Sequence, residues 1–369
     1  MDAATAGIDG QALERTDGVM DWFTDLFGQA QQALFESVIQ PIVFHLGYGN
    51  LLEDAFDATG WLLVGLIQIV VMLAVIGSLQ RWRPAEAVTD RHAIRIDIVY
   101  TLIQRLGLFR LLMFFSLEPL FDGAVGEMRM HGIPTFQLDA LWPGVTDVAW
   151  VSFVIYLVAF DLLMYWLHRA QHSWNWWWAL HSLHHSQRQM TMWSDSRNHL
   201  LDDLIIDSAV AITARLIGVG PGQFVALVAI SQLLENLQHA NLRLTFGLIG
   251  ERLLVSPRFH RLHHSIGIGH EGFGRGTLGG HNFAVMFPIW DVLFRTANFE
   301  DRWDPTGVRD QLPEEGGRDY GRGFWAQQWL GLKRLVGRDK IAAAPGDGST
   351  PSGGAPMDIA GRAPAGGND

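Results

Sequence analysis

The chain of 369 residues has no cysteine and only two lysines, Lys333 and Lys340. The lack of cysteine excludes disulfides, zinc ribbons, iron–sulfur clusters and thiol catalysis. Charged residues make up 18% of the sequence, against about 25% in average globular proteins, so few residues are available to cover a water-exposed surface. The net charge of −11 argues against a nucleic-acid binder, because phosphate contacts require a basic face. What remains is a membrane protein or a very apolar enzyme.

Charge is also missing from a long internal run, residues 58–80. At about 1.5 Å per residue, this run can cross about 30 Å of hydrocarbon, so it predicts a transmembrane helix. Residues 98–117 are apolar but include Arg105 and Arg110, so we expect them to face a helix bundle or lie tilted at the interface. Residues 148–167 form a third apolar segment. The predicted fold is therefore an all-α integral membrane protein with about three full transmembrane helices.

The placement of arginine predicts the orientation. The first 60 residues contain one basic and ten acidic residues, whereas four arginines follow the first apolar run: Arg81, Arg83, Arg91 and Arg95. The positive-inside rule then places the N-terminus on the non-cytoplasmic side and residue 81 in the cytoplasm. Residues 121–147 contain one basic residue, which suits the outer side, and the next segment returns His168 to the cytoplasmic boundary. The active site and the C-terminus are thus expected to be cytoplasmic.

Two shorter apolar stretches, residues 204–217 and 224–237, flank a glycine–proline cluster at 218–222. Such a cluster is a strong turn signal, so we predict a helical hairpin that returns His239 to the cytoplasmic side. Residues 20–40 have the spacing of an amphipathic helix. The expected organisation is an acidic N-terminal region (1–57), transmembrane helices (58–146), a catalytic region with a histidine-rich helical cap (147–296), a cytoplasmic region (297–341) and a disordered low-complexity tail (342–369).

Histidine is abundant where other reactive residues are scarce. Twelve of the 15 histidines lie between positions 168 and 281. Eight of them form three spaced groups: His168 and His172; His181, His184 and His185; His260, His263 and His264. Residues at i, i+3 and i+4 share one face of a helix, so each group directs its imidazoles to one place. Neutral imidazole is a good ligand for iron, zinc or copper, and we therefore predict metal binding.

The number of histidines favours two metal ions. A catalytic zinc takes three protein ligands and a water, whereas two five- or six-coordinate ions together would use about eight to ten ligands. We expect both ions to be iron. Soluble di-iron bundles use Glu and Glu-x-x-His ligands, a pattern that this sequence lacks. The isolated His45, His92 and His131 are expected to be structural.

At these residues the sequence resembles the fatty acid hydroxylase/sterol desaturase superfamily of integral-membrane di-iron oxygenases. The similarity extends over residues 147–296 and rests on an ordered set of motifs: Asp161-x-x-x-Tyr165-Trp166-x-His168-Arg169-x-x-His172, His181-Ser-Leu-His184-His185-Ser186, Arg197-x-His199, His239-Ala240-Asn241, Phe259-His260-Arg261-Leu262-His263-His264-Ser265, Asn282-Phe283-Ala284 and Trp290-Asp291-x-Leu293-Phe294-x-Thr296. Two features depart from the family pattern. The stretch between His264 and Asn282 is long and glycine-rich, and Arg295 replaces a usual glycine, so both could reshape the substrate entrance.

The resemblance implies the roles of individual residues. The eight spaced histidines would be the core iron ligands, with His239 as a ninth. His199 is assigned as a ligand or as a hydrogen-bonding neighbour of one, and His270 and His281 as ligands or as loop contacts. Asp161, Asp202, Asp203 and Asp291 are expected to accept hydrogen bonds behind the ligating imidazoles.

The resemblance further implies two iron ions, O2 as co-substrate and hydroxylation of a membrane lipid such as a sterol or fatty acyl chain. Desaturation at the same site is the alternative. The sequence contains no haem, flavin or nicotinamide motif, so electrons are expected from a separate reductase, ferredoxin or cytochrome, docking on Arg81, Arg83 and Arg91. A tryptophan cluster is expected to form an interfacial belt: Trp174, Trp176, Trp177 and Trp178.

Two other classes stay open at this stage. A membrane zinc hydrolase would hold a single zinc and consume no oxygen, but it accounts poorly for the number of histidines. A non-catalytic metal-binding membrane protein, such as a transporter, would carry ionisable residues through the bilayer midplane. Here the histidines are predicted to gather at one face instead.

Overall fold

The computed structural model describes residues 22, 24–107, 117–266 and 280–338. Within these ranges the chain is helical, and its only β-type pairing is an isolated antiparallel bridge between Ser265 and Thr306. His270, most of the glycine-rich stretch and the tail lie outside the described residues, so the predictions made for them are not addressed by the structure.

Twelve helices of five or more residues are described. They are α1 (residues 24–45), α2 (Gly49–Trp82), α3 (Arg91–Arg105), α4 (Glu118–Met130), α5 (Ala149–Ser173), α6 (Asn175–His185), α7 (Leu200–Ile217), α8 (Pro221–His239), α9 (Gly247–Leu253), α10 (Pro257–His263), α11 (Ile289–Leu293) and α12 (Phe324–Leu335). Single π turns occur within α1 at Phe35–Ile39 and within α2 at Met72–Ile76.

The chain divides into two compact units. The first comprises Met1–Leu73 and Leu102–Gly123, and the second comprises Ala74–Thr101 and Ala124–Asp369. In the first unit, the ring of Phe35 on α1 meets the ring of Phe56 edge-on, with centroids 5.3 Å apart. A Cβ atom at Gly65 would lie 1.7 Å from the carbonyl oxygen of Arg105, so only glycine permits this close approach of two backbones.

Two helices, α2 and α5, are long and apolar enough to cross a membrane by length and composition. They contain the predicted segments 58–80 and 148–167. The predicted segment 98–117 begins within α3, which ends at the buried Arg105, and the residues after position 107 fall partly outside the described ranges. The number of spans, about three, stays a prediction.

The second unit contains the predicted hairpin, formed by α7 and α8. Gly218 ends α7 in the left-handed conformation, with φ of 73°, and Pro221 occupies the first turn of α8. A Cβ atom at Gly218 would lie 2.9 Å from the carbonyl oxygen of Phe136, so both conformation and space favour glycine. The start of α7 and the end of α8 consequently lie at the same end of the hairpin, which brings His199 and His239 to one side.

Candidate metal centre

Four helical segments supply the clustered histidines. His168 and His172 lie on the last turns of α5, and three histidines lie on α6, which starts directly after Trp174 ends α5 in an extended conformation. His239 is the last residue of α8. The third motif lies on α10, whose N-terminus is capped by the Ser256 hydroxyl, which accepts a hydrogen bond from the Phe259 amide at 3.1 Å. Short helices with defined ends thus fix where each imidazole points.

The structure brings eight of these histidines together as two buried groups of four. The first group is His168, His172, His185 and His263, and the second is His184, His239, His260 and His264. In each group, one ring nitrogen per residue lies within 4.8 Å of the corresponding atoms of the other three. Two sets of four converging nitrogens are the arrangement that a pair of metal ions requires.

The ring nitrogens of the second group converge on one point. The Nε2 atom of His239 lies 3.1 Å from Nε2 of His184 and 3.0 Å from Nε2 of His260, which lies 3.1 Å from Nε2 of His264. Around a tetrahedral ion with metal–nitrogen bonds of about 2.0–2.1 Å, ligand nitrogens would be about 3.3 Å apart. The observed separations therefore fit one ion at the centre of this group.

Backbone carbonyls fix the protonation of three rings. The Nδ1–H groups of His168, His239 and His263 donate to the carbonyl oxygens of Phe283 (2.9 Å), Glu235 (2.8 Å) and His281 (2.6 Å), respectively. Because a carbonyl oxygen only accepts, Nδ1 carries the proton, and a neutral ring then presents the lone pair of Nε2. The Nε2 atom of His263 is buried and has no hydrogen-bond partner among the described residues. A metal ion would satisfy such an atom.

Burial keeps these imidazoles neutral. It is the main reason why the pKa values of His184, His260, His263 and His264 lie well below the usual value for histidine, and neighbouring imidazoles lower them further. A protonated imidazole cannot bind a metal ion, whereas a neutral one can. These four imidazoles are therefore in their ligating form at neutral pH.

His181 lies between the two groups of four. Its ring centroid is 5.4 Å from that of His168, 5.0 Å from that of His185 and 5.2 Å from that of His184. Its Nδ1 donates to Oδ2 of Asp202 at 3.1 Å, and its buried Nε2 has no hydrogen-bond partner within the described ranges. The ring is thus oriented like those of the grouped histidines.

His199 and His281 occupy other positions. The Nδ1 atom of His199 accepts from the Leu201 amide at 3.1 Å and so caps α7, and its Nε2 donates to the Gln328 carbonyl of α12 at 2.9 Å. Both ring nitrogens are therefore engaged in hydrogen bonds. His281 supports His263 through its backbone carbonyl, and its ring is hydrogen-bonded to the Leu262 backbone. Burial lowers the pKa of His281 to about 4. Neither residue belongs to a group of four.

Among the four aspartates, Asp202 contacts an imidazole of the cluster directly. Besides His181, it accepts hydrogen bonds from Gln171 Nε2 at 2.8 Å and from Trp177 Nε1 at 2.6 Å. Asp203, its neighbour on α7, is instead hydrogen-bonded to Asn198. Three donors on one carboxylate hold its oxygens in place and, through them, the ring of His181.

Asp161 and Asp291 hold the backbone segment next to the histidines. Asp161 accepts from the amides of Met286 (2.7 Å) and Phe287 (2.9 Å) and from Trp290 Nε1 (2.8 Å). Asp291 accepts from the amides of Phe283 (2.8 Å) and Ala284 (2.9 Å). The Phe283 carbonyl is the acceptor for His168, so these carboxylates support that imidazole through the backbone rather than by direct contact.

Sequence reasoning missed two contributors. Asp195 lies 3.5 Å from Nδ1 of His239 and accepts a hydrogen bond from Asn236 at 2.9 Å. Trp177 was expected in an interfacial belt, but it is buried and donates to Asp202, whereas Trp174 and Trp176 are exposed. Trp177 precedes His181 by four residues on α6, and this helical spacing was the available signal that the two side chains share a face.

Comparison with known proteins agrees with this geometry. Residues 153–296 match the family described as fatty acid hydroxylase. The chain is 24% identical over 248 residues to ornithine lipid hydroxylase OlsE of Rhizobium tropici, covering 67% of this chain and 70% of that protein. It is 29% identical to the alkylglycerol monooxygenase of Caenorhabditis elegans, covering 41% of this chain and 28% of that enzyme. It is 26% identical to the Delta(7)-sterol 5(6)-desaturase ERG3B of Gibberella zeae, covering 38% of this chain and 42% of that enzyme. No solved structure gives a significant match.

Proposed function

We propose that the chain is a di-iron oxidoreductase of the fatty acid hydroxylase family, which residues 153–296 match, and that it hydroxylates a membrane lipid with O2. The observation that carries the proposal is the pair of buried four-histidine groups. The relatives add a substrate class, because all three act on lipids by name and two of them are hydroxylases or monooxygenases.

In this proposal each group of four histidines holds one iron ion, with His181 as a further ligand between them. When bound, the iron pair supplies O2 activation and oxidation of an unactivated C–H bond. His199 and His281 are left out of the ligand set, because the ring of His199 caps α7 and that of His281 is hydrogen-bonded to the Leu262 backbone.

The protein orients the ligands and excludes water. The hydrogen bonds at Nδ1 keep four rings turned towards the cluster: those of His168, His181, His239 and His263. The buried ring of Phe283 lies against His168, His172 and His263, with centroids 5.8, 5.2 and 5.7 Å apart. An apolar wall at this point would keep water away from metal ions held by these histidines.

Desaturation is the second candidate, and the sterol desaturase relative favours it. The ligand set is the same for both reactions, and the outcome depends on which carbon is held near the iron pair and for how long. A lipid product that has gained one oxygen atom would support hydroxylation. A product that has lost two hydrogens would support desaturation.

We also propose the membrane arrangement and the electron supply. The helices α2 and α5 cross the bilayer as part of a domain of about three spans plus the α7–α8 hairpin, with the N-terminus outside and the histidine cluster in the cytoplasm. A reporter fused after residue 340 should then give a cytoplasmic signal, and a periplasmic signal would contradict the orientation. Electrons come from a separate donor protein.

The experiment that tests the function is oxidation of extracted membrane lipids by the purified protein with iron and a reductase system. O2 consumption together with an oxidised lipid is expected, and both should be abolished by His184→Ala. A protein that holds a single zinc after iron-replete expression and consumes no O2 would instead be the zinc hydrolase considered from the sequence.

A further inference from the structure

A second polar site lies in the same unit as the histidine cluster. It is a cavity of about 300 Å³ that is broadly open to the surface, lined by Arg83, Arg243, Leu244, Thr245, Asp301 and Trp303. Its three charged residues are exposed. None of the clustered histidines contributes to its lining. A cavity of this size accommodates a small polar group rather than a whole lipid.

Two arginines define the charge of this cavity. The Arg243 amide donates to the Arg83 carbonyl at 2.8 Å, which keeps the two residues side by side, and the Arg243 guanidinium lies 5.6 Å from the ring centre of Trp303. In the part of the chain that the structure describes, neither guanidinium is ion-paired with a carboxylate. Guanidinium groups bind phosphate and carboxylate oxygens through two parallel hydrogen bonds. The cavity therefore offers donors for an oxyanion.

Asp301 adds a negative charge to the same lining. A site with two guanidiniums and one carboxylate suits a group that carries both an oxyanion and an ammonium. Asp301 would repel an anion placed next to it and attract a cation, so the ammonium of a zwitterion would gain a partner that a simple anion does not use. The combination favours a zwitterionic ligand.

The cavity lies beside the end of the apolar helix α2. Arg83 directly follows Trp82, the last residue of the apolar helix α2, and the side chain of Trp82 is 73% exposed. Tryptophan and arginine at the end of an apolar helix are typical of the membrane–water interface, which is the level of the headgroups.

Hydrogen bonds connect the cavity walls to the metal-binding segments. Asn241, two residues after His239, accepts from the amides of Ala85 and Glu86, each at 3.0 Å. Arg261, which lies between His260 and His263, is 3.0 Å from Glu86 and donates to the Asp304 carbonyl at 3.2 Å. The segments that contribute Arg83 and Asp301 to the cavity are thus held against the segments that carry the ligands.

We infer that this cavity binds the headgroup of a zwitterionic membrane lipid, with the phosphate or carboxylate on Arg83 and Arg243 and the ammonium on Asp301. The headgroup site would hold the substrate at a fixed position relative to the iron pair. That role as substrate site rests on the proposed function, but headgroup binding is measurable without turnover. The geometry also reassigns Arg83, which the sequence had suggested for docking the electron donor.

The test uses the purified full-length protein in an uncharged detergent, without reductant. The probes are dihexanoyl phosphatidylcholine, dihexanoyl phosphatidylglycerol and inorganic phosphate, measured by titration calorimetry. Phosphatidylcholine should bind most tightly. Arg243→Gln should weaken binding of both lipids, roughly ten- to hundredfold for loss of a charged hydrogen-bond donor. Asp301→Asn should weaken phosphatidylcholine binding and leave phosphatidylglycerol binding unchanged or stronger.

The matched control is Arg95→Gln, which removes the same charge from an exposed position of α3 outside the cavity and should leave all affinities unchanged. Unchanged lipid affinity in Arg243→Gln would overturn the inference, as would binding of inorganic phosphate as tight as that of either lipid. If the Arg83→Gln variant bound lipid normally but accepted electrons slowly, the inference would be overturned and Arg83 would be assigned to docking of the electron donor. If the proposed function were wrong and this inference correct, the purified protein would contain no iron, but the three probes would still bind with the predicted order of affinities.

Discussion

The Nε2 atom of His239 lies 3.0 Å from the Nε2 atom of His260, and both side chains are buried. Among the residues that the structure describes, no carboxylate contacts Nε2 of His239. His239 comes from the end of a long hairpin helix and His260 from a short helix of the third motif. The Nδ1 atom of His239 donates to a carbonyl, so its Nε2 offers a lone pair towards the other ring. Two residues 21 positions apart thus bring their ring nitrogens together, as two ligands of one cation would.

Replacing His184 with alanine should remove one of the two metal ions. The second group would keep three of its four histidines, so it would hold its ion more weakly. We expect the metal content to fall from about two ions per chain to about one, with loss of lipid oxidation. Elemental analysis of the purified variant gives the answer.

His199→Ala is the matched control for that experiment. It removes a histidine that caps α7, so metal content should stay at the wild-type level while stability falls by about 0.5–2 kcal/mol. Loss of a metal ion in His199→Ala, with normal metal content in His184→Ala, would reverse the assignment of these two residues.

Asp202→Asn should weaken metal binding although it changes only one atom. The Oδ2 atom that accepts from His181 could become an amide that donates, and the ring would then turn or move its proton to Nε2. Loss of such a partner behind a ligand lowers metal affinity or activity roughly ten- to hundredfold. Competition with a chelator measures the change.

Asp203→Asn provides the comparison, because it alters the adjacent carboxylate, which is hydrogen-bonded to Asn198. We expect its metal affinity to match that of the wild type. Equal weakening in both variants would show that the effect comes from the charge of α7 and not from orientation of His181.

Gly331→Ala should destabilise the protein through His199. A Cβ atom at position 331 would lie 2.3 Å from Cδ2 and 2.9 Å from Nε2 of the buried His199 ring. Overpacking of this kind costs about 1–3 kcal/mol. Thermal unfolding should show the loss, and the double variant with His199→Ala should recover part of it.

Gly323→Ala is the control at the N-cap residue of the same helix, because a Cβ atom there meets nothing within 4 Å and φ is −164°. Its unfolding temperature should fall less than that of Gly331→Ala, by the small cost of replacing glycine with alanine at an N-cap. A drop equal to that of Gly331→Ala would point to helix α12 as a whole and not to the contact with His199.

Much of the helical fold was predictable from the sequence. The charge-free run 58–80 and the segment 148–167 lie within α2 and α5, and the glycine–proline cluster marks the turn of the α7–α8 hairpin. Apolar length and turn chemistry are local properties, so they can be read from short windows. The division into two units was not predictable, because it depends on contacts between distant segments.

The site was predictable in its composition but only partly in its geometry. The helical spacing of the histidines indicated their shared direction, but the division into two groups of four mixes α5, α6, α8 and α10. The role of Asp202 was predicted only in part, because nothing in the sequence distinguished Asp202 from Asp203. The contact of His199 with the Gln328 carbonyl could not be predicted, because Gln328 lies 129 positions away on α12, beyond the reach of any local pattern.

The most direct measurement is metal quantification on detergent-purified protein expressed with iron-57, together with its Mössbauer spectrum. We expect about two irons per chain that are spin-coupled when oxidised, because the two histidine groups are neighbours and the ring of His181 lies close to both. A single zinc per chain after iron-replete expression, with no coupled iron signal, would show that the two groups do not hold a pair of irons.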